Sequence, residues 1–166
     1  MRIATTRFGE IDIRESELIT MKGSILGFGH LKRFALIVHD QNTPLWWLQA
    51  ADDPAVAFVV INPFIVMPDY KPTLHQEDMD FLEIQRDEDL VLLSIVTVRS
   101  QPFRVTVNVR APILVNAEKR MATQIVLEDP EYPIQYDVLD HKAHFDAWLA
   151  KPCNDSGRLA TTATSP

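Results

Sequence analysis

Only one cysteine, Cys153, occurs in this 166-residue chain, so no internal disulfide can form. Its setting is polar and proline-flanked, which suits a reducing compartment, and no ordered partner is suggested that would make its thiolate a nucleophile. Long apolar runs are also missing: the longest, Ala55 to Ile61, is far too short to cross a bilayer. The N-terminal MRIATTRFGEIDIRE carries charges where a secretory signal needs an apolar core, so a cytoplasmic protein with no membrane segment is expected. Positive charge is in deficit, with 16 Lys plus Arg against 23 Asp plus Glu and a net charge of −7. Nucleic-acid affinity rests on neutralising phosphates with Lys and Arg, so direct nucleic-acid binding is disfavoured and a basic partner favoured. There is no Gly-rich phosphate loop, no nucleophile elbow, no zinc-type Cys spacing and no internal repeat, and the GFG at Gly27 to Gly29 is only a loop signal.

What is present is a period of two. A chain this long can bury roughly 70% of its unfolded surface in one core without metals or disulfides. Alternation at Ile3, Thr5, Ile11 and Ile13 around Gly9 predicts a hairpin turning near Phe8-Gly9-Glu10. Strand-like runs follow at Leu18–Met21, Phe34–His39, Leu45–Ala50, Val56–Ile61, Leu90–Val98, Arg104–Val109, Ile113–Val115 and Ala122–Leu127. Pro44, Pro54, Pro63, Pro68, Pro72, Pro102, Pro112, Pro130 and Pro133 fall at or near run ends, where a missing N–H does least damage to a ladder. The expected fold is therefore mainly β, a sandwich or small barrel. Two short helices are predicted. Gln76 to Leu82 has Met79 and Leu82 on one side and acids in its first turn, which makes it a lid on the sheet. Asp140 to Ala150 spaces Phe145, Trp148 and Leu149 as an apolar stripe. From Lys151 the chain lacks large apolar groups and is expected to be a disordered tail.

Catalytic chemistry finds little support in these residues. Asp52-Asp53 or Asp87-Glu88-Asp89 could supply a general acid and base, but an Asp before a Pro in a tight connection already serves the turn. Of His30, His39, His75, His141 and His144, only the last two are closely spaced, and no third metal ligand accompanies them. No cofactor or metal is expected. A small-molecule-binding or hydrolytic barrel using Asp52, Asp53 or His75 is the alternative function. If Leu45 to Ala50 is a strand, Trp46 and Trp47 face opposite ways, one toward the core and one toward an edge. Stacking of either on single-stranded RNA runs against the acidic balance. The segment NPFIVMPDY carries Phe64, Ile65, Val66, Met67 and Tyr70 between prolines. It reads either as an exposed apolar edge that recruits another chain or as a loop folded back on the core.

Three stretches carry a family signature: WLQAADDPAVAFVVINPFIVMPDY, the region ending LLSIVTV, and NVRAPILVNAEKRMATQIVLEDPEYPI. Over about Arg2 to Ile134 the chain resembles the FliW family of flagellar assembly factors. That resemblance implies a small antiparallel β-barrel-like domain over 1–138, without catalysis; the extension from Leu139 to Pro166 is not part of the family pattern, and the residues themselves predict a C-terminal helix over 139–150 and a tail over 151–166 in it. It also implies binding of flagellin and antagonism of the translational regulator CsrA by direct contact, which relieves repression of flagellin synthesis. Family positions carry over to Asn62, Pro63 and Phe64, to Asp69 and Tyr70 of the PDY exit, and to Asn108, Pro112 and Asn116. Partner contacts are expected around Asn62, Phe64, Asp69, Tyr70, Lys71, Asn108 and Asn116, with Phe64 and Tyr70 as aromatic anchors. Two departures stand out: Lys71 where many members carry an acid, and Gln135-Tyr136-Asp137 in place of an Arg-His-Pro ending.

Overall fold

The computed structural model describes residues 1–149 and 161–162. The chain opens with a hairpin of β1 (Arg2–Thr5) and β2 (Gly9–Asp12), paired antiparallel with Thr5 opposite Gly9. Its turn is tied by Thr5 Oγ1, which accepts from the Phe8 amide at 2.8 Å and donates to the Gly9 carbonyl at 2.9 Å. Gly9 has φ of 69°, a left-handed conformation that costs a residue without a Cβ nothing.

The body is a closed barrel. Its strands are β3 (Ile19–Met21), β4 (Arg33–Val38), β5 (Trp46–Ala50), β6 (Ala57–Ile61), β7 (Leu90–Ser100), β9 (Ile113–Asn116) and β10 (Met121–Gln124). Antiparallel ladders join β3 through β7 in order, β7 then pairs with β9 and β9 with β10, and β10 closes the ring by running parallel to β3. The long β7 serves two neighbours on one side: Leu90–Leu93 pair with β9, while Val96–Ser100 pair with β8 (Phe103–Val107). Tyr136 and Asp137 form β11, which pairs with the far side of β8.

The registers explain the core. Cross-strand partners Phe34 and Ala50, Leu36 and Leu48, Leu93 and Ile113, and Val115 and Ala122 all belong to one buried cluster that fills the barrel. The Phe, Leu, Ile and Val side chains among them each contribute on the order of 1.5–3 kcal/mol by leaving water. The alternate residues face outward and need covers. Ala35 and Ile37 are covered by Ile3 and Ile13 of the hairpin together with Leu18. Ile61, Leu92, Val96 and Leu114 are covered by a second cluster containing Val66, Tyr70, Leu82, Ile84, Leu127 and Tyr132.

Three α-helices occur among the described residues: α1 (Pro63–Val66), α2 (Gln76–Phe81) and α3 (Lys142–Leu149). The expected lid is α2, whose Met79 packs on the outer cluster and whose C-terminal neighbour Leu82 is fully buried. The expected C-terminal helix is α3, entered through a 3-10 turn at Leu139–His141. α1 replaces what was read as an edge or loop. Asn62 caps it, with Oδ1 accepting from the Phe64 amide at 3.0 Å, and Pro63 sits at its start, where the missing N–H is no loss. The parallel β3–β10 pairing also departs from an all-antiparallel barrel. The expected tail lies outside the described residues except at Thr161–Thr162, where a short strand β12 runs parallel to Ile37–Val38 of β4 and disorder was expected.

Candidate partner-binding face

One face of the outer cluster gathers most of the residues singled out from the sequence. The turn of α1 raises Phe64, 43% exposed, above the surface. Tyr70 lies beneath it, with the two rings edge-on at 5.6 Å between centroids. Tyr70 is only 3% exposed, so its ring is a support for Phe64 and not a free anchor. Its hydroxyl donates to the Val109 carbonyl at 2.7 Å, and its ring meets Tyr132 at 4.8 Å. Burial, reinforced by the neighbouring Tyr132 and Asp129, pushes the Tyr70 hydroxyl well above its ordinary pKa, so it stays protonated and can donate.

Tyr132 ties the face together. Its hydroxyl accepts from the Lys71 amide at 2.9 Å, and its carbonyl accepts from Arg110 Nε at 2.7 Å. Asp69 and Lys71 flank Tyr70 on the exposed side of this knot. Asn108 supports it from below through its Oδ1, which accepts from the Ala111 amide at 3.0 Å. The structure thus brings Asn62, Phe64, Asp69, Tyr70, Lys71 and Asn108 to one region. Asn116 is elsewhere and is 2% exposed. It donates to the Leu82 and Glu83 carbonyls at 2.8 and 3.2 Å and accepts from the Glu118 and Lys119 amides at 3.1 and 3.0 Å. That fully engaged amide splices two turns, so Asn116 has no capacity left for a partner.

Beside the knot runs a groove of about 560 Å³, lined by Thr73, His75, Asp78 and the segment from Ile125 to Pro130. Asp129 closes one part of it by accepting from the Thr73 amide at 3.2 Å and from Thr73 Oγ1 at 3.0 Å. Among the described residues the lining holds three carboxylates and neither Lys nor Arg.

The residues of the alternative catalytic reading are dispersed. Asp52 pairs with Arg33, Asp53 accepts from the Ala55 amide at 3.0 Å, and His75 stands apart in the groove. Gln49, in the LQ of the signature, is fully buried and its Nε2 reaches the carbonyls of Ala50, Asp53 and Val56 at 3.0–3.2 Å, holding the DDP turn. Among the described residues no group of three or more His, Cys, Asp and Glu is placed to hold a metal, and no helix is long and apolar enough to cross a membrane. Trp46 and Trp47 do face opposite ways: Trp46 packs on the barrel core, while Trp47 lies outside against Phe8 at 5.7 Å and under the Arg7 guanidinium at 4.2 Å. Arg7 thus occupies one face of the outer tryptophan, where a base would stack.

A family model described as FliW protein matches residues 2–138. The chain belongs to the FliW family. It is 49% identical to the flagellar assembly factor FliW of Syntrophus aciditrophicus (strain SB) over 142 residues, which is 86% of this chain and 90% of that one. It is 39% identical to the flagellar assembly factor FliW of Geobacter sulfurreducens over 147 residues, covering 89% and 92% of the two chains. A crystal structure of the flagellar assembly factor FliW superposes with a TM-score of 0.76 at 33% identity, covering 83% of this chain and 96% of the other. The FliW match ends at Val138, which is buried in the outer cluster; α3 and β12 follow it. These FliW relatives are named as assembly factors and not as enzymes. Tyr132, the final Tyr of the signature, was not among the expected site residues, although its place at the end of the motif marked it.

Proposed function

We propose that this protein is a cytoplasmic assembly factor that binds flagellin and, in a mutually exclusive complex, the translational regulator CsrA. Membership of the FliW family over residues 2–138 carries the proposal. The exposed Phe64 on a rigid turn, braced by Tyr70 and Tyr132, supplies the kind of aromatic anchor that dominates interfaces. The net charge of −7 favours encounter with a basic RNA-binding regulator. Two exclusive complexes of comparable affinity then act as a switch by mass action. Accumulated flagellin occupies the factor and frees CsrA to repress translation, and exported flagellin returns the factor to CsrA.

Calorimetric titration of the purified protein with flagellin and with CsrA, followed by competition between them, tests this. Saturable binding to both with displacement of one by the other is the expected result. Simultaneous binding of both would overturn the switch, and binding of neither would overturn the assignment of partners.

A further inference from the structure

The groove beside α2 has the segment that follows β10, Ile125 to Pro130, as one of its walls. After β10 the chain continues extended. The Ile125 amide donates to the Pro112 carbonyl at 3.1 Å and the Leu127 amide to the Arg110 carbonyl at 2.8 Å, so alternate residues keep pairing with the 110–112 segment. In an extended chain the residues between them direct their own N–H and C=O groups to the opposite side. Val126 and Glu128 are those residues. Neither makes a backbone hydrogen bond among the described residues. Their side chains are exposed, Val126 by 58%, while Ile125 and Leu127 pack inward on the outer cluster. The open edge faces a groove whose other wall is Thr73, His75 and Asp78.

We propose that this edge accepts an extended, positively charged peptide segment of a partner protein, which adds as a strand along Val126–Glu128. Strand addition uses main-chain hydrogen bonds for affinity and alternate side chains for selectivity. Here Val126 offers an apolar contact on the exposed face, and the carboxylates of Asp78 and Glu128, which have no ion-pair partner among the described residues, select lysine or arginine. An exposed chain edge whose N–H and C=O groups are unpaired and unguarded by lysine among the described residues is an open template for pairing. The inference deepens the partner-binding proposal, on which it rests, by naming the chemistry of one bound segment.

The test uses two capped hexapeptides, one alternating valine with lysine and one alternating valine with glutamate, titrated into the full chain and followed by amide NMR. The lysine peptide is expected to shift the Val126 and Glu128 amides saturably and to slow their hydrogen exchange, with the glutamate peptide weaker by about tenfold or more, which corresponds to ~1.4 kcal/mol. Val126→Pro removes the outward N–H without touching an internal hydrogen bond and should weaken the lysine peptide by a similar factor. Glu128→Lys provides a second variant that keeps the backbone intact and should invert the preference between the peptides. No shift at Val126 and Glu128, or undiminished binding by folded Val126→Pro, overturns the proposal; equal binding of the two peptides overturns its charge component. The assay contains neither flagellin nor CsrA, so its outcome is independent of whether those two partners bind.

Discussion

The Tyr70 hydroxyl donates to the Val109 carbonyl at 2.7 Å, linking the exit of α1 to the segment that leads into β9. This bond makes Tyr70 part of the scaffold. Tyr70→Phe should lower unfolding free energy by about 1–3 kcal/mol, because it strands a buried acceptor. Tyr70→Ala should cost about 3–5 kcal/mol by leaving a cavity as well. Urea denaturation measures both; a loss below about 0.5 kcal/mol for Tyr70→Ala would show that the ring is not packed as described.

Phe64 behaves oppositely because it is exposed on the same face. Phe64→Ala should leave the urea midpoint almost unchanged while weakening flagellin or CsrA binding by about 30-fold, the effect of removing a ~2 kcal/mol anchor. Unchanged affinity for both partners would remove Phe64 from the interface.

Asn116 provides a separate prediction about stability. Its amide nitrogen faces two carbonyls, those of Leu82 and Glu83. Asn116→Asp sets an acceptor against them and should destabilise the fold by about 2–4 kcal/mol at neutral pH. The penalty should shrink in acid, where a protonated carboxyl can donate again, and comparing denaturation at pH 7 and pH 4 separates these cases.

Acid should also weaken the parent protein. A hydrogen bond from Arg14 holds the Glu17 carboxyl below its ordinary value of 4.5, and one from Lys119 does the same for Glu83. A carboxylate depressed in the folded state stabilises the fold above its ordinary pKa and loses that contribution as pH falls through the folded value. Stability is therefore expected to decline below about pH 4.5. The double variant Glu17→Gln, Glu83→Gln should show a shallower acid limb in denaturation series; an identical limb would assign the decline to other groups.

Most strands were legible because the barrel separates its two faces cleanly. Phe34 and Leu36 point inward while Ala35 and Ile37 point to the hairpin, and this regular demand leaves a period of two in the sequence. The β3–β10 closure was not legible, since it joins Thr20 to Met121 through backbone groups that any residue types supply. α1 was legible in principle: Asn62 before Pro63 is a cap followed by a first-turn proline, but its four residues are too few for helical periodicity to show. The burial of Tyr70 was left open by the sequence, where its segment reads equally as an exposed edge or as a loop folded back on the core, and only the long-range bond to Val109 decides for burial. The groove was invisible for a similar reason, since Thr73 and Ile125 come together only in the folded chain.

The parallel pairing of β3 with β10 also sets the order in which this protein can come into being. Strands β3 to β7 emerge from the ribosome as an open sheet whose first edge waits for residues 121–124 before it finds its neighbour. Contacts so distant in sequence make folding slow and leave little partial credit for an incomplete chain. A nascent chain halted before Met121 lacks the strand that closes the ring onto β3 and so keeps an unpaired sheet edge, the kind of surface that makes incomplete chains prone to aggregate. The number of competent molecules in a cell is thus counted in finished chains.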